Sequence, residues 1–145
     1  MPFIDLSVVL DATTPVYPGD PKPEHIQVAF LEKDGYRDEV LKTGMHVGTH
    51  MDAPSHMVNG GTVDMIPLEH CTGRGVLIDV RDKKTIDADI LTKFHFVNPI
   101  VLFWTDHIKQ YRADKYFGHG PVLTEACARA LVEQKVKMIG LDSYS

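Results

Sequence analysis

Apolar and polar positions alternate in several short stretches of the N-terminal half, which is the pattern of half-buried β-strands. Residues 3–9 are predicted to form one short strand. Residues 25–30 alternate in the same way, and residues 39–45 can pair with them around the Asp34-Gly35 dipeptide. Because glycine there favours a tight reversal of the chain, we expect this second stretch to be an antiparallel hairpin.

Three later stretches are continuously apolar and rich in β-branched residues: 75–80, 99–104 and 136–142. Such runs are typical of strands that are buried on both faces. Between the last two, Thr124 is a good N-cap for a helix over residues 125–134, whose apolar positions recur at helical spacing. Strand, helix and strand in this order predict a βαβ unit, and therefore an α/β fold.

Residues 13–23 contain four prolines and one glycine, so they cannot form a helix or a central strand. Proline lacks the amide donor that both structures need, and its ring fixes φ. Two interpretations remain open for this run. It is either a rigid surface loop or a stiff flap that holds Tyr17 against a binding site.

Length and composition place the chain among ordinary globular proteins, and 145 residues predict a single domain that spans 1–145. The sequence is 43% hydrophobic and 24% charged, with a net charge of -5. That charge argues against a nucleic-acid partner, since phosphate backbones require a basic surface. No stretch of about 18 apolar residues predicts a membrane span, and Asp5 interrupts any signal-like run. Cys71 and Cys127 have no metal-type spacing, so we expect two free thiols and a cytoplasmic protein.

The densest cluster of chemistry-bearing side chains runs from His46 to His56. Its eleven residues hold three of the eight histidines and one carboxylate, in the order His46-Val-Gly-Thr-His50-Met-Asp52-Ala-Pro-Ser-His56. Imidazole and carboxylate groups are the ligands that zinc, manganese and iron accept at neutral pH. This run therefore predicts a metal site.

The spacing of the cluster predicts its local backbone. In a regular strand all of these residues would share one face, but His46 and His50 would start about 13 Å apart at about 3.3 Å per residue. Zinc–nitrogen bonds of about 2.0–2.1 Å leave little room for such a span. Gly48 disfavours a helix and permits a sharp bend, while Pro54 would end any helix. We predict a strand that enters a curled loop and gathers His46, His50 and Asp52 around one metal.

Three protein ligands leave an open position for water, which a catalytic metal requires. Metal binding can lower the pKa of that water to about 7, so that it attacks a carbonyl, and His56 can carry protons nearby. Asp52 can also bridge to a second ion. The cluster thus predicts a metal-dependent hydrolase. The alternative is a structural metal that only fixes the loop and leaves no position for water.

The remaining histidines have no such neighbours in the sequence and are interpreted as structural: His25, His70, His95, His107 and His119. His119, in a Gly-His-Gly-Pro turn, can still reach a site.

The signature His-x-Gly-Thr-His-x-Asp-x-Pro-x-His is complete from His46 to His56. It resembles that of the metal-dependent cyclase-like hydrolases, which include bacterial kynurenine formamidase (arylformamidase) and isatin hydrolase. Thr-Pro-Val-Tyr-Pro-Gly-Asp at 14–20 resembles the N-terminal loop of that family. Gly-Leu-Asp-Ser at 140–143 resembles its late Gly-hydrophobic-Asp segment.

The resemblance implies roles for individual residues. His46, His50 and Asp52 would be the metal ligands, with Asp52 able to bridge two ions, and His56 would be the proton donor and acceptor. The ion is Zn2+ in the formamidases and Mn2+ in the isatin hydrolases. Tyr17 falls where the formamidases carry an aromatic residue, usually tryptophan, that lines the substrate pocket.

The resemblance also implies a fold and a reaction. The fold is a single compact α/β domain with a mixed, barrel-like β-sheet and flanking helices, the swivelling β/β/α arrangement, and members commonly form dimers or larger homo-oligomers. The substrate is a small N-formyl or cyclic amide, often aromatic; kynurenine formamidase releases formate in tryptophan breakdown. Tyrosine in place of tryptophan at position 17 weakens the case for formylkynurenine itself.

Family members continue past the Gly-hydrophobic-Asp segment to a further histidine and a glutamate that complete the metal site. The sequence ends at Ser145, just after this segment. We therefore expect a domain that is incomplete at its C terminus. The alternative to an active hydrolase is then a catalytically incomplete fragment that only binds metal or has a structural role.

Overall fold

A computed structural model describes residues 3–94 and 99–144 of the chain. Predictions for His95 lie outside the described residues. The chain divides into two compact units, Met1–Val63 and Asp64–Ser145. The predicted organisation as one domain over 1–145 stays a prediction. Within the described residues, no helix has both the length and the apolar composition needed to cross a membrane.

The first unit contains the predicted hairpin. Strand β1 (Glu24–Ala29) pairs antiparallel with β2 (Asp38–Lys42), and the short helix α1 (Leu31–Asp34) lies between them. Gly35 ends α1 in the left-handed conformation, with φ of 77°, and its amide donates to the carbonyl of Leu31. Glycine adopts this conformation without steric cost, which is why the Asp34-Gly35 dipeptide marks the reversal.

The strand predicted for residues 3–9 does not form, so this prediction is wrong. Alternation alone predicted it, but a strand also needs a neighbour that pairs with its backbone. Side chains replace that neighbour here: the Val8 amide donates to Thr49 Oγ1 at 3.0 Å, and the Ser7 amide donates to Asp5 Oδ1 at 2.8 Å.

The second unit is built around a parallel sheet of three strands. These are β3 (Gly75–Asp79), β5 (Ile100–Trp104) and β7 (Met138–Leu141), in the spatial order β3-β5-β7. A separate parallel pair consists of β4 (Thr85–Ile86) and β6 (Val122–Leu123). The three apolar runs of the sequence therefore do become neighbouring strands.

Helix α2 (Glu125–Glu133) lies between β6 and β7 in the chain and completes the predicted βαβ unit with β5 and β7. Thr124 is its N-cap, and the Thr124 hydroxyl accepts from the amide of Cys127 at 3.2 Å. The core of the unit joins α2 to one face of the sheet: Ile78, Val80, Ile86, Leu91, Val101, Phe103, Cys127 and Leu131.

Only one face of this sheet is deeply buried, which corrects the expectation of burial on both faces. Val101 and Phe103 alternate with half-buried neighbours along β5, and Leu77 of β3 is 62% exposed. Residues on the second face pack closely among themselves, since a Cβ at Gly140 would stand 2.7 Å from Leu102 Cδ2. Continuous apolar runs therefore marked the strands correctly but overestimated their burial.

The mixture of parallel and antiparallel strands with helices confirms the predicted α/β class, and the predicted βαβ unit is present. The described residues form three separate sheets, however, and not one barrel-like sheet. Cys71 is partly exposed and Cys127 is buried. Burial raises the pKa of the Cys127 thiol.

Candidate metal centre

The histidine cluster lies on a loop that begins where β2 ends at Lys42. Residues 43–53 form neither helix nor strand, and Gly48 has a φ of +68°. This left-handed conformation bends the chain at the position where the spacing argument required it. Ligand atoms of His46, His50 and Asp52 all lie within 4.8 Å of one another. The curl therefore replaces the separation of about 13 Å that a straight strand would impose.

The Asp52 carboxylate is the centre of the group, because one of its oxygens faces both imidazoles. Asp52 Oδ1 lies 2.6 Å from Nδ1 of His46 and 3.5 Å from Nε2 of His50. The three side chains are 41%, 26% and 33% exposed for His46, His50 and Asp52, so a solvent molecule or a small ligand can reach them. Among the described residues, this is the one group of three or more histidine, cysteine or acidic side chains with such spacing.

The ring of His50 has a defined orientation. Its Nδ1 lies 3.0 Å from the carbonyl oxygen of Gly48. Because a carbonyl can only accept a hydrogen bond, Nδ1 carries a proton, and in the neutral imidazole Nε2 then keeps its lone pair. That lone pair is on the side of Asp52. Metal-binding histidines typically use the second ring nitrogen in this way to fix their tautomer.

His56 joins the group from the turn that follows. It ends a 3-10 turn, Pro54–His56, and its amide donates to the carbonyl of Ala53 at 2.9 Å. A Cβ at Gly60 would stand 2.8 Å from Pro54 Cβ, so glycine permits this close return of the chain. The His56 ring lies against the ring of His46, with centroids 3.7 Å apart and planes tilted by 33°. His56 is exposed.

The donor set fits a divalent ion with nitrogen and oxygen ligands. Two atoms bound to one tetrahedral zinc at about 2.0–2.1 Å lie about 3.3–3.4 Å apart. The distance of 3.5 Å between His50 Nε2 and Asp52 Oδ1 is already close to this value. The His46–Asp52 pair, at 2.6 Å, would need to open by roughly 0.7 Å on ion binding, and an exposed hydrogen bond permits so small a movement. Residues present in the chain therefore suffice for a three-ligand site.

Tyr17 begins a turn in the proline-rich run, in which the amide of Asp20 donates to the carbonyl of Tyr17 at 2.9 Å. Gly19 occupies the third position of the turn with φ of +102°, as the sequence Tyr-Pro-Gly-Asp favours. The Tyr17 side chain is 53% exposed. Its predicted place in a substrate pocket stays a prediction.

Two threonines that the sequence reasoning passed over support the cluster. Thr14 is 3% exposed, and its hydroxyl accepts from the Asp11 amide at 2.8 Å and lies 3.3 Å from the Val9 carbonyl. Thr49 accepts from the Val8 amide between two of the predicted ligands. Thr14 lies at a turn and Thr49 lies within the signature. Threonine hydroxyls often bind nearby backbone groups, so these positions in the sequence could have indicated a role for both residues.

Two histidines outside the cluster make side-chain contacts within the fold, and the structural roles predicted for the remaining histidines stay predictions. His107 is 6% exposed and its Nε2 donates to the carbonyl of Tyr116 at 2.8 Å. His25 pairs with Glu39 across the hairpin. His70 ends a 3-10 turn, and His119 is exposed.

Asp142 of the late Gly-hydrophobic-Asp segment accepts hydrogen bonds from the two residues that follow β5. Its carboxylate accepts from the amide and hydroxyl of Thr105, at 2.6 and 2.7 Å, and from the amide of Asp106 at 2.9 Å. These bonds join the chain just after β7 to the chain just after β5. They also hold Asp106 in the left-handed conformation, with φ of 64°.

Comparisons with known proteins agree on one family. The Cyclase family model, described as "Putative cyclase", matches residues 4–145. A kynurenine formamidase of Bacillus thuringiensis (strain Al Hakam) is 31% identical over 145 residues, which are 97% of this chain and 68% of that protein.

Two solved structures are also similar. Isatin hydrolase A from Labrenzia aggregata superposes with a TM-score of 0.84 at 25% identity, over 98% of this chain and 68% of that one. A structure described as a potential metal-dependent hydrolase with cyclase activity superposes with a TM-score of 0.74 at 25% identity, over 98% and 69% of the two chains. The relatives are thus amide hydrolases, and one neighbour is described as metal-dependent.

Proposed function

The chain belongs to the cyclase family, and from that premise we propose that it is a metal-dependent hydrolase of a small amide. One observation carries the proposal: His46, His50 and Asp52 present three ligand atoms within 4.8 Å of one another, with His56 stacked beside them. The three-ligand site leaves room for water and substrate, which distinguishes a catalytic metal from a closed structural one.

His46, His50 and Asp52 would hold a Zn2+ or Mn2+ ion, since mixed nitrogen and oxygen ligands suit both, and Asp52 can bridge to a second ion. When bound, the ion supplies a Lewis acid for the carbonyl and lowers the pKa of water. The Gly48 carbonyl keeps the lone pair of His50 Nε2 directed toward the site. The shared Asp52 oxygen contributes the negative charge that balances the cation.

His56 moves the proton. Its imidazole is exposed and lies against the ring of a proposed ligand, so it lies next to any group that reacts at the site, and histidine is the commonest general acid of enzymes. In this mechanism His56 protonates the leaving nitrogen of the amide. General acid catalysis of this kind contributes about 10²- to 10⁴-fold to a rate.

The proposed substrate is a small N-formyl or cyclic amide, often aromatic, with Tyr17 lining its pocket. The support is the names of the relatives, kynurenine formamidase and isatin hydrolase, and the half-exposed ring of Tyr17. Assembly into a dimer or larger homo-oligomer is part of the same proposal, and light scattering of the purified protein tests it.

The experiment measures turnover and bound metal together. Protein loaded with Zn2+ or Mn2+ is assayed with an N-formylated aromatic amine and with a cyclic aromatic amide. We expect hydrolysis of at least one, and a loss of about 10²-fold or more in kcat for His56→Ala with the metal retained. A His56→Ala variant with the full rate would contradict the proton-transfer role. Metal binding without turnover on any amide would instead indicate a metal-binding protein without catalysis.

A further inference from the structure

The buried hydroxyl of Thr14 lies at the start of a chain of contacts that ends at the lone pair of His50. We infer that Thr14 is a positioning residue of the metal site, which fixes the ring of His50 through the backbone of Gly48. This inference rests on the proposed metal site. It assigns a role to the Thr-Pro segment that the ligand signature leaves unexplained.

The first step is local. Thr14 closes a turn, because its amide donates to the Asp11 carbonyl at 3.0 Å while its hydroxyl accepts from the Asp11 amide at 2.8 Å. The same hydroxyl donates to the Val9 carbonyl at 3.3 Å. One side chain that is 3% exposed thus satisfies a donor and an acceptor of the backbone. Replacing it with an apolar residue would leave both groups without this partner and would loosen the turn.

The second step joins this turn to the metal loop. A Cβ built on Gly48 would stand 3.6 Å from Val8 Cγ2, 3.9 Å from Leu10 Cδ1 and 4.0 Å from Thr14 Cγ2. The side of Gly48 on which a Cβ would stand therefore faces three side chains of the N-terminal segment, with a gap of about one methyl group between them. The Val8 amide adds a hydrogen bond to Thr49 Oγ1, the residue between Gly48 and His50. Residues 8–14 thus support the loop at its sharpest bend.

The third step is the orientation of the ligand. Gly48 has φ of +68°, and in this conformation its carbonyl lies 3.0 Å from His50 Nδ1. If the turn of Thr14 loosens, Gly48 can relax toward ordinary φ values and its carbonyl leaves the ring. His50 then loses the hydrogen bond that selects its tautomer. The ring proton can then reside on Nε2, which removes the lone pair that an ion needs.

The test uses three threonine variants. Thr14→Val removes the hydroxyl and keeps the methyl group beside Gly48, whereas Thr14→Ser keeps the hydroxyl. Thr13→Val is the matched control, since Thr13 is the adjacent residue, is exposed, and places its hydroxyl on the Asp11 side chain. Two readouts are taken: the protonation of the two His50 nitrogens by NMR of metal-free protein at about pH 8, where ordinary imidazole is neutral, and Zn2+ affinity by competition with a chelator.

We expect metal-free wild-type protein to carry the His50 proton on Nδ1. In Thr14→Val this preference is lost and Zn2+ affinity falls by about tenfold, the lower end of the effect of residues that orient metal ligands. Thr14→Ser and Thr13→Val keep the Nδ1 proton and affinities within about threefold of wild type. A Thr14→Val protein that keeps both the tautomer and the affinity would overturn the inference.

The failure of the two proposals can be told apart. If wild-type protein binds neither Zn2+ nor Mn2+, the proposed function fails, while the His50 tautomer in the Thr14 variants still decides the positioning role. If Thr14→Val does not fold, Gly48→Ala tests the hydrogen bond between the Gly48 carbonyl and His50 Nδ1 directly. A left-handed φ strains any residue with a Cβ, so alanine should shift this carbonyl. Loss of the Nδ1 proton in Gly48→Ala supports the inference, and its retention contradicts it.

Discussion

Each of the two units of the chain is stabilised internally by a different kind of interaction. In Asp64–Ser145 a cluster of eight buried side chains joins one sheet face to α2, and Val101, Ile86 and Cys127 have no exposed surface. In Met1–Val63 the buried residues described are few: Thr14, Pro23, Ala29 and Val47. The candidate metal cluster belongs to this first unit, Met1–Val63. It lies on a loop whose conformation is set by turns, hydrogen bonds and one left-handed glycine.

The difference shows what each region can tolerate. A packed core resists small changes of position, and its stability comes from apolar area removed from water. A loop held by a few hydrogen bonds can move by fractions of an ångström, which is what the His46–Asp52 pair needs in order to admit an ion. Stability and chemistry are therefore separable in this chain, and substitutions in each unit should show it.

The largest effect is expected in the core of the second unit. Phe103 is 1% exposed, so Phe103→Ala removes buried apolar area and leaves a cavity. We expect the free energy of unfolding to fall by about 3–5 kcal/mol in a denaturant titration. Zn2+ affinity of the protein that remains folded should not change.

The control for this substitution is Leu77→Ala, in the neighbouring strand, where the side chain is 62% exposed. It should cost less than about 1 kcal/mol, in line with other exposed positions. Equal losses for the two variants would contradict the account of a single buried sheet face.

The next largest effect is expected at the metal loop. His50→Ala removes the imidazole that is already at ligand spacing from Asp52, so Zn2+ affinity should fall by more than about 100-fold, beyond the range of outer-shell changes. The stability of metal-free protein should change little, since the loop has few buried contacts. Chelator competition and denaturant titration measure the two quantities.

His25→Ala is the matched control, because His25 lies in the same unit and its ring pairs with Glu39 on the exposed hairpin. Its loss should leave Zn2+ affinity unchanged. A large loss of affinity in this variant would show that the cluster is not defined by His46, His50 and Asp52 alone.

The smallest expected effect is a loss of folding stability at alkaline pH, and it arises from Tyr116 in the second unit. Burial raises the pKa of Tyr116 to about 12, while the unfolded chain releases this proton near the ordinary value of about 10. Folding therefore binds the proton more tightly. The resulting stability is complete below about pH 10 and is lost as pH rises toward about 12.

Tyr116→Phe removes this titration. The variant should lose less stability than wild type between about pH 10 and 12, as measured by the denaturant midpoint at each pH. Tyr36→Phe, an exposed tyrosine of the first unit, should show the wild-type pH dependence. Identical pH dependence in Tyr116→Phe and wild type would contradict the role given to burial.

Much of this structure could be predicted from residues alone. The spacing of His46, His50 and Asp52, with Gly48 among them, predicted a curled loop, because no regular backbone brings these side chains together. The apolar runs and the Thr124 cap predicted the βαβ unit, since each of its signals is local in sequence.

Other features depend on contacts that no local pattern encodes. Alternation at residues 3–9 predicted a strand, but pairing depends on a partner strand that is absent from the described residues. The placement of the buried Thr14 near Gly48 brings together positions far apart in sequence, and the exposed face of β3 depends on which side α2 covers. The roles of Tyr17 and His56 remain predictions, because they concern substrate.

The most direct test of the central claim is the metal content of purified protein, measured by elemental analysis after preparation without an affinity tag or added metal. We predict about one or more Zn2+ or Mn2+ ions per chain, and loss of this metal in a His50→Ala/Asp52→Ala variant that keeps its secondary structure. Folded wild-type protein without metal, which also takes up none when Zn2+ or Mn2+ is supplied, would contradict the claim that this loop is a metal site.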